Sequence, residues 1–181
     1  ERGVALSHRR LSIQDLSEAG AQPMHSACRR YVIVYNGEVY NAPGLAAELA
    51  AAGHRFKGHS DTEVLLAAIA EWGLEAALNR AVGMFAIALW DRDRRELTLV
   101  RDRLGIKPLY YWLDRQRLAF ASELKCLMED PELPRDFDPV GLNNYLSLNY
   151  IPAPQSIYRA VSKLPPAHYL QWRDGKVKIE R

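Results

Sequence analysis

The chain has 181 residues, of which 48% are hydrophobic and 25% are charged, and its formal net charge at pH 7 is +2. These values predict one globular domain that can bury a sizeable core. The net charge is too small to indicate nucleic acid or a membrane surface as a partner, and no apolar run approaches the ~20 residues of a membrane span. Because no signal-peptide pattern opens the chain, we expect a cytoplasmic protein.

The first elements are short. Residues 4–6 and 10–13 read as strands, and residues 15–22 as a loop. β-Branched and aromatic residues then run from Tyr31 to the pair Asn36-Gly37. Asn-Gly between two such runs is typical of a two-residue hairpin turn, which the local pattern favours here. The alternative is a buried strand that delivers an amide, a glycine N–H and the carboxylate of Glu38 to one spot.

Two helices follow, with recognisable ends. Pro43 suits a first helical position, and Gly53 is a natural stop for that helix. Ser60 and Glu63 have the spacing of a capping box, in which each side chain accepts from the other residue's backbone N–H. The apolar stripe after it predicts a second helix that ends at Gly73.

The second half is predicted to consist of hairpin-linked strands with two more helices. The apolar run over residues 84–90 suits a strand buried on both faces. Further strands are predicted over 97–100, 109–113, 118–121, 169–172 and 176–179, and helices over 122–128 and 138–148. Strands and helices in separate blocks indicate the α+β class.

The local sequence pattern identifies few candidate catalytic or ligand-binding residues. The histidines are scattered without ligand spacing, so no metal site is expected, and no nucleotide-binding motif occurs. Cys28, three residues after His25, is a conceivable nucleophile but lacks a partner acid. An arginine such as Arg10 can bind a carboxylate in a bidentate manner, although a solvated or ion-paired side chain is the simpler reading. Asp61 in the first helical turn is simply explained by the helix dipole.

Eight sequence blocks in one order add a resemblance. They are residues 6–16, Gln22-Pro23-Met24, Asn36-Gly37-Glu38-Val39-Tyr40-Asn41, Ser60-Asp61-Thr62-Glu63-Val64, and residues 83–86, 101–111, 121–125 and 163–166. Together they resemble the glutaminase domain of glutamine-hydrolysing asparagine synthetases, which are class II glutamine amidotransferases. The resemblance covers nearly the whole chain, and it implies an N-terminal-nucleophile hydrolase fold, a four-layer αββα sandwich.

The resemblance also implies a reaction and its residues. An N-terminal cysteine, with its own α-amine as the base, hydrolyses the glutamine side-chain amide. Arg10 would hold the α-carboxylate of glutamine, and Glu38 and Asp61 its α-ammonium group. The Asn36 side chain and the Gly37 N–H would form the oxyanion hole, contributing about 3 kcal/mol each to the tetrahedral intermediate. The domain itself needs no cofactor or metal.

Further parts of the protein are implied outside this chain. Residues 1–181 are expected to be one type 2 glutamine amidotransferase domain, incomplete at its N-terminus, with 149–181 approaching the junction to a C-terminal synthetase domain. That domain would bind ATP and magnesium, receive the ammonia and convert aspartate to asparagine. A homodimer of the full-length protein is compatible with the resemblance.

Several departures from the family pattern matter. The N-terminal cysteine is absent, so the chain as given is expected to be inactive; neither Cys28 nor Cys126 can replace a thiol and a free α-amine on one residue. Ser7 and Ala167 stand where glycine is expected. The block 101–111 is read as structural, with its charges paired or facing solvent. Two alternatives stay open: an amidotransferase with a different acceptor, and a non-catalytic glutamine-binding or interaction domain. A cysteine encoded directly after the initiator methionine would favour an enzyme.

Overall fold

A computed structural model describes residues 3–9, 17–114 and 116–181. Its larger sheet has six strands in the order β1-β2-β3-β4-β8-β9, and its smaller sheet has three in the order β6-β5-β7. All the strand pairs are antiparallel. The strands are β1 (Met24–His25), β2 (Tyr31–Val39), β3 (Gly83–Asp91), β4 (Glu96–Arg101), β5 (Tyr110–Leu113), β6 (Leu118–Ala121), β7 (Val161–Lys163), β8 (Tyr169–Arg173) and β9 (Lys176–Glu180).

The described residues form four layers. The helices are α1 (Ala42–Ala51), α2 (Asp61–Trp72), α3 (Leu74–Arg80), α4 (Leu124–Leu127) and α5 (Pro139–Leu148). Buried residues of α1, α2 and α3 pack on one face of the large sheet, against Ile33 and Ile87. The other face, including Val34 and Leu99, packs against the small sheet, whose Trp112 in turn contacts Leu127 of α4. The layers are therefore helix, sheet, sheet, helix, which confirms the αββα sandwich.

The central strand β2 corrects the predicted hairpin. Residues 31–39 form one continuous strand that pairs along its whole length with β3, and Asn36 and Gly37 lie opposite Ala86 and Phe85. A turn is excluded because both residues are extended members of this ladder. Gly37 is needed for another reason. A Cβ atom there would lie 2.7 Å from the Phe85 Cα and would also meet the Met84 carbonyl oxygen.

Other predictions have mixed outcomes. Residues 4–6 are not a strand, since no ladder forms there, and residues 10–13 lie outside the described part of the chain. The first two helices begin and end as predicted, with Gly53 at φ +97° and Gly73 at φ +81°. The sequence pattern does not predict helix α3, because Gly73 ends α2 and is also the N-cap of α3. It does not predict the short strands β1 and β7 either.

The capping box at α2 is only half formed. The Ser60 side chain accepts from the Thr62 N–H at 3.2 Å, as an N-cap residue should. The Glu63 carboxylate instead accepts from the N–H groups of Lys57, at 2.9 Å, and Gly58, at 3.0 Å. Glu63 therefore ties the preceding loop to the helix rather than closing the box.

Residues 101–111 have a structural role, and the charges of Arg101 and Asp102 bind backbone groups. The Asp102 carboxylate, in a residue that is 1% exposed, accepts from the N–H groups of Leu104, Ile106 and Lys107 at 2.9–3.1 Å. The Arg101 guanidinium donates to three carbonyl oxygens, those of Lys107, Leu164 and Gly105. The expectation that these charges pair with one another or face solvent was wrong for both residues.

No helix in the described ranges combines the length and the apolar character that crossing a membrane requires.

Candidate active site

A cavity of about 550 Å³ opens at the end of β2. It is lined by β2 and β3, by the start of α2, by the end of β6 with α4, and by parts of the loops before β1 and after β4. Its polar lining residues include Gln22, Asn36, Glu38, Ser60, Asp61, Thr62, Lys107 and Ser122. The cavity also reaches between the sheets, where Val34, Ala86 and Phe120 line it. The predicted residues 36, 37, 38 and 61 therefore share one cavity.

The backbone of Gly37 faces this cavity along the edge of β2. Both backbone groups of its ladder partner Phe85 bind Asp102 instead: the Phe85 carbonyl accepts from the Asp102 N–H at 2.8 Å, and the Phe85 N–H donates to the Asp102 carboxylate at 3.3 Å. Residues of an antiparallel strand alternate between their two neighbours, so the Gly37 N–H points away from β3. The ladder with β1 ends at Ile33. Among the described residues, no acceptor is found for the Gly37 N–H.

The Asn36 side chain lies beside that N–H. Its Nδ2 is 3.3 Å from the Ser122 Oγ at the end of β6, so the amide reaches across the cavity to the small sheet. The Gly37 nitrogen belongs to the peptide that follows the Asn36 Cα. Asn36 and Gly37 both line the cavity. A side-chain amide and a backbone N–H are donors of the kind that can stabilise an oxyanion.

Asp61 is buried and binds β2 from the start of α2. Its Oδ2 accepts from the Val39 N–H at 2.9 Å and from the Tyr35 hydroxyl at 2.8 Å. Burial, reinforced by the neighbouring Asp61 carboxylate, raises the pKa of Tyr35 far above its ordinary value. The phenol therefore stays neutral and remains a donor. Asp61 joins α2 to the site strand, a role the sequence did not reveal.

We expect Asp61→Ala to lower the free energy of unfolding by about 3 kcal/mol, because it leaves the Tyr35 hydroxyl and the Val39 N–H buried without an acceptor. Asp61→Asn keeps a carbonyl oxygen at the same place and should cost about 1 kcal/mol. Urea denaturation of the three proteins measures both changes. Equal stability of the wild type and Asp61→Ala would show that these two bonds contribute nothing to the fold.

Of the remaining residues singled out from the sequence, some line the cavity and others do not. Glu38 is partly buried and lines the cavity. Arg10 lies outside the described residues, while its neighbour Arg9 is exposed and lines the cavity. Cys126 is exposed on α4 and also lines it. Cys28 is not among the cavity-lining residues; its thiol pKa is lowered, chiefly by a hydrogen bond with the Ser26 hydroxyl.

Three residues of the cavity were not assigned a role from the sequence. Gln22 binds the backbone of Tyr35, Ser122 accepts from Asn36, and Lys107 lines the cavity from the loop after β4. Each lies in one of the eight sequence blocks, which is the only signal that could have drawn attention to them. Their contacts join segments 13 residues apart for Gln22 and 86 apart for Ser122, so local pattern could not reveal them.

The four-layer αββα fold is shared with two solved structures. Glutamine phosphoribosylpyrophosphate amidotransferase from B. subtilis, solved in complex with ADP and GMP, superposes with a TM-score of 0.68 at 22% identity over 96% of this chain and 34% of its own. The structure described as the allosteric regulatory enzyme of purine biosynthesis gives a TM-score of 0.64 at 21% identity over 90% of this chain and 31% of its own. These likenesses define the class of fold.

The sequence narrows the class to a family. Residues 1–181 match the family described as a glutamine amidotransferase domain. The chain is 38% identical to asparagine synthetase (glutamine-hydrolyzing) 3 of Bacillus subtilis over 100% of its length, and 41% identical to a putative asparagine synthetase (glutamine-hydrolyzing) of Mycobacterium bovis over 90%. It spans 30% and 26% of those two proteins. The chain belongs to the glutamine amidotransferase family and is homologous to the glutaminase domain of asparagine synthetases.

Proposed function

We propose that the full-length protein hydrolyses the side-chain amide of glutamine in the cavity at the end of β2, giving glutamate and ammonia. An ATP-dependent synthetase part then uses the ammonia to convert aspartate to asparagine. The names and identities of the relatives support this reaction. Their greater length supports a further domain in the same polypeptide, since this chain spans 26–30% of the two relatives described above.

The observation that carries the proposal is the pair of donors at residues 36 and 37. Attack on the glutamine amide makes a tetrahedral intermediate whose oxygen carries the negative charge. The Gly37 N–H, which faces the cavity without an acceptor among the described residues, donates to that oxygen. The Asn36 Nδ2 donates beside it. Donors held on a paired central strand need no rearrangement as the charge develops, which lowers the barrier.

The charged residues suit the rest of a zwitterionic substrate. Glu38 lines the cavity one residue after Gly37, and Asp61 lines it from the opposite element. We assign both carboxylates to the α-ammonium group and Arg10 to the α-carboxylate. Since Asp61 Oδ2 already accepts two hydrogen bonds, Asp61 would meet the ammonium group through Oδ1. A carboxylate can accept several bonds at once, so its structural and substrate-binding roles are compatible.

We assign the nucleophile to a cysteine on a segment that precedes residue 1. Two observations support room for that segment. Among the described residues, β6 is an edge strand of the small sheet, and the cavity beside it has apolar lining between the sheets. The α-amine of that cysteine takes the thiol proton and delivers it to the leaving ammonia. We assign ATP and magnesium to the synthetase part, which the greater length of the relatives supports.

The proposed function is tested by incubating the full-length protein with glutamine and measuring glutamate and ammonia release. We expect the two products in equal amounts, and asparagine when aspartate and ATP are added. Cys126→Ser is the matched control, since Cys126 lines the cavity but is not the proposed nucleophile; its rate should stay within about twofold of the wild type. The proposal is contradicted if the intact protein releases no glutamate. If Cys126→Ser loses glutamate release, the nucleophile is Cys126 and not a cysteine before residue 1.

Arg10→Ala should raise KM for glutamine about 100-fold, because a charge-assisted bidentate contact to the substrate is lost. Asparagine synthesis from free ammonia should be unchanged, since ammonia bypasses the glutamine site. Arg9→Ala changes the neighbouring arginine, which lines the cavity; it serves as the comparison and should have the smaller effect. Equal loss of the glutamine- and ammonia-dependent activities in Arg10→Ala would make Arg10 a structural residue.

A further inference from the structure

The side chain of Gln22 binds the backbone of the site strand. Its Oε1 accepts from the Tyr35 N–H at 2.6 Å, and its Nε2 donates to the Tyr35 carbonyl oxygen at 3.1 Å. The same Nε2 lies 3.4 Å from the Thr62 Oγ1 at the start of α2. One amide thus satisfies both polar groups of a β2 residue that faces away from β3. Tyr35 is two residues before Gly37 on the same edge.

The Gln22 side-chain amide occupies the position beside Tyr35 that a neighbouring strand would otherwise take. The β1–β2 ladder pairs His25 with Val32 and Met24 with Ile33, and the same register continued would bring the backbone of Gln22 opposite Tyr35. The ladder stops at Met24 instead, and the side chain of Gln22 makes the two bonds that the backbone of a β1 residue would have made. The chain before it turns into a short 3-10 helix, Glu18–Gly20.

The substitution of a side chain for a strand has a consequence at Gly37. If the β1 ladder ran on in register, Gly20 would lie opposite Gly37 and its carbonyl would cover the N–H that faces the cavity. If nothing bound Tyr35, the described part of the chain would leave the outward backbone of β2 unsupported between Ile33, where the β1 ladder ends, and the Val39 N–H, which donates to Asp61. The Gln22 amide avoids both outcomes, because it fixes the strand up to residue 35 and leaves the next outward N–H open.

We propose that Gln22 is a positioning residue for the Gly37 oxyanion donor. This inference rests on the proposed glutaminase function. Gln22 acts through the backbone of Tyr35, and the donor it orients is used only when charge develops on the substrate oxygen. Its loss therefore lowers kcat for glutamine more than it raises KM, because a misaligned oxyanion donor weakens transition-state binding rather than substrate binding.

A matched control lies at the other end of the same strand. The Ser26 Oγ accepts from the Tyr31 N–H at 3.0 Å, so it too is a side chain bound to the outward edge of β2. Ser26 is 6% exposed and is not among the residues that line the cavity. Ser26→Ala removes an edge contact without altering the geometry at Gly37. A purely structural contribution of Gln22 would resemble that of Ser26.

The experiment uses the full-length protein with Gln22→Met, which keeps the side-chain length and removes both bonds to Tyr35, and with Ser26→Ala. For Gln22→Met we expect glutamine-dependent kcat to fall about 10- to 100-fold, with KM within about twofold and ammonia-dependent synthesis unchanged. For Ser26→Ala we expect a lower melting temperature and unchanged kcat. If Gln22→Met does not fold, Gln22→Glu, which keeps an acceptor for the Tyr35 N–H, supplies the same comparison of kcat with KM.

Undiminished kcat in the Gln22 variant would overturn the positioning role. So would an equal loss of the glutamine- and ammonia-dependent activities, or a fall in kcat matched by Ser26→Ala, since these are the signs of a general structural contribution. The proposed function fails in a different way, by the absence of glutamine hydrolysis in the wild type. An active wild type with an undiminished Gln22→Met would overturn the positioning role alone.

Discussion

Asn36→Ala in the full-length protein is expected to lower kcat for glutamine hydrolysis about 100- to 1,000-fold, the loss measured when one oxyanion donor is removed from a hydrolase. KM should change little, because the neutral carbonyl of bound glutamine needs the donor less than the charged intermediate does. Steady-state kinetics with glutamine, and with free ammonia in its place, measures the effect. The ammonia-dependent rate should be that of the wild type.

Asn41→Ala is the control for this result. Asn41 lies just after the C-terminal end of β2 and is not among the residues that line the cavity; its side chain donates to the Arg80 carbonyl at 2.9 Å and accepts from the Val82 N–H at 2.8 Å. Its removal deletes an asparagine near the same strand without changing the donors at the cavity, so kcat should be retained. If Asn36→Ala raised KM and left kcat unchanged, Asn36 would bind the substrate and the transition state equally well. It would then not be an oxyanion donor.

Gly37→Ala is expected to lower the free energy of unfolding by about 3 kcal/mol or more, because β2 and β3 must separate to admit a methyl group. The added Cβ would lie 2.7 Å from the Phe85 Cα and 2.8 Å from the Phe85 Cβ, and would meet the Met84 carbonyl oxygen. Backbone atoms of a central strand cannot move aside as a flexible side chain can. Urea denaturation measures the loss, and activity should fall with it because the donor N–H moves.

Gly44→Ala provides the matched control for the same substitution. Gly44 lies in α1, and a Cβ there meets no atom within 4 Å. Because alanine is the better helix former, this variant should be more stable than the wild type by about 0.5–1 kcal/mol. If Gly37→Ala and Gly44→Ala had the same effect, the close approach of β2 and β3 would not be the reason for glycine at position 37.

Elements marked by local chemistry could be predicted from the sequence. Pro43 and Gly53 bound α1, Ser60 begins α2, and the Asp138 side chain accepts from the Val140 N–H at the start of α5. These residues cap or end helices through bonds that span only a few residues. The local sequence alone is therefore enough to predict them. The four-layer arrangement depends on which strands pair across the chain, and it came from the family resemblance rather than from periodicity.

The predicted hairpin at Asn36-Gly37 failed for a physical reason. Asn-Gly favours a turn when the flanking strands have no other partner, but here β3 offers nine residues of antiparallel pairing to β2. Gly83 of β3 is also confined at this crossing, where a Cβ would meet the Glu38 carbonyl oxygen and lie 2.9 Å from the Val39 Cα. Tertiary pairing therefore overrides the local preference. Two glycines allow the strands to approach closely.

The site was predicted in part. Residues 36, 37, 38 and 61 do line one cavity. The local pattern, however, indicates only a helix-dipole role for Asp61 and no role for Gln22. Both act on the backbone of β2 from distant segments, which only the folded chain brings together. Ala167 is a smaller case. The family pattern expects glycine there, and Ala167 adopts φ +59°, the left-handed region that glycine occupies without strain.

The central claim is that the oxygen of the reacting glutamine amide meets Asn36 and Gly37. It is tested most directly by a crystal structure of the full-length protein with a glutamine analogue that carries an electrophilic ketone in place of the amide and stays attached to the nucleophile. We expect the analogue's oxygen to lie roughly 3 Å from both the Asn36 Nδ2 and the Gly37 nitrogen. An adduct formed elsewhere, or an oxygen directed away from both donors, would contradict it.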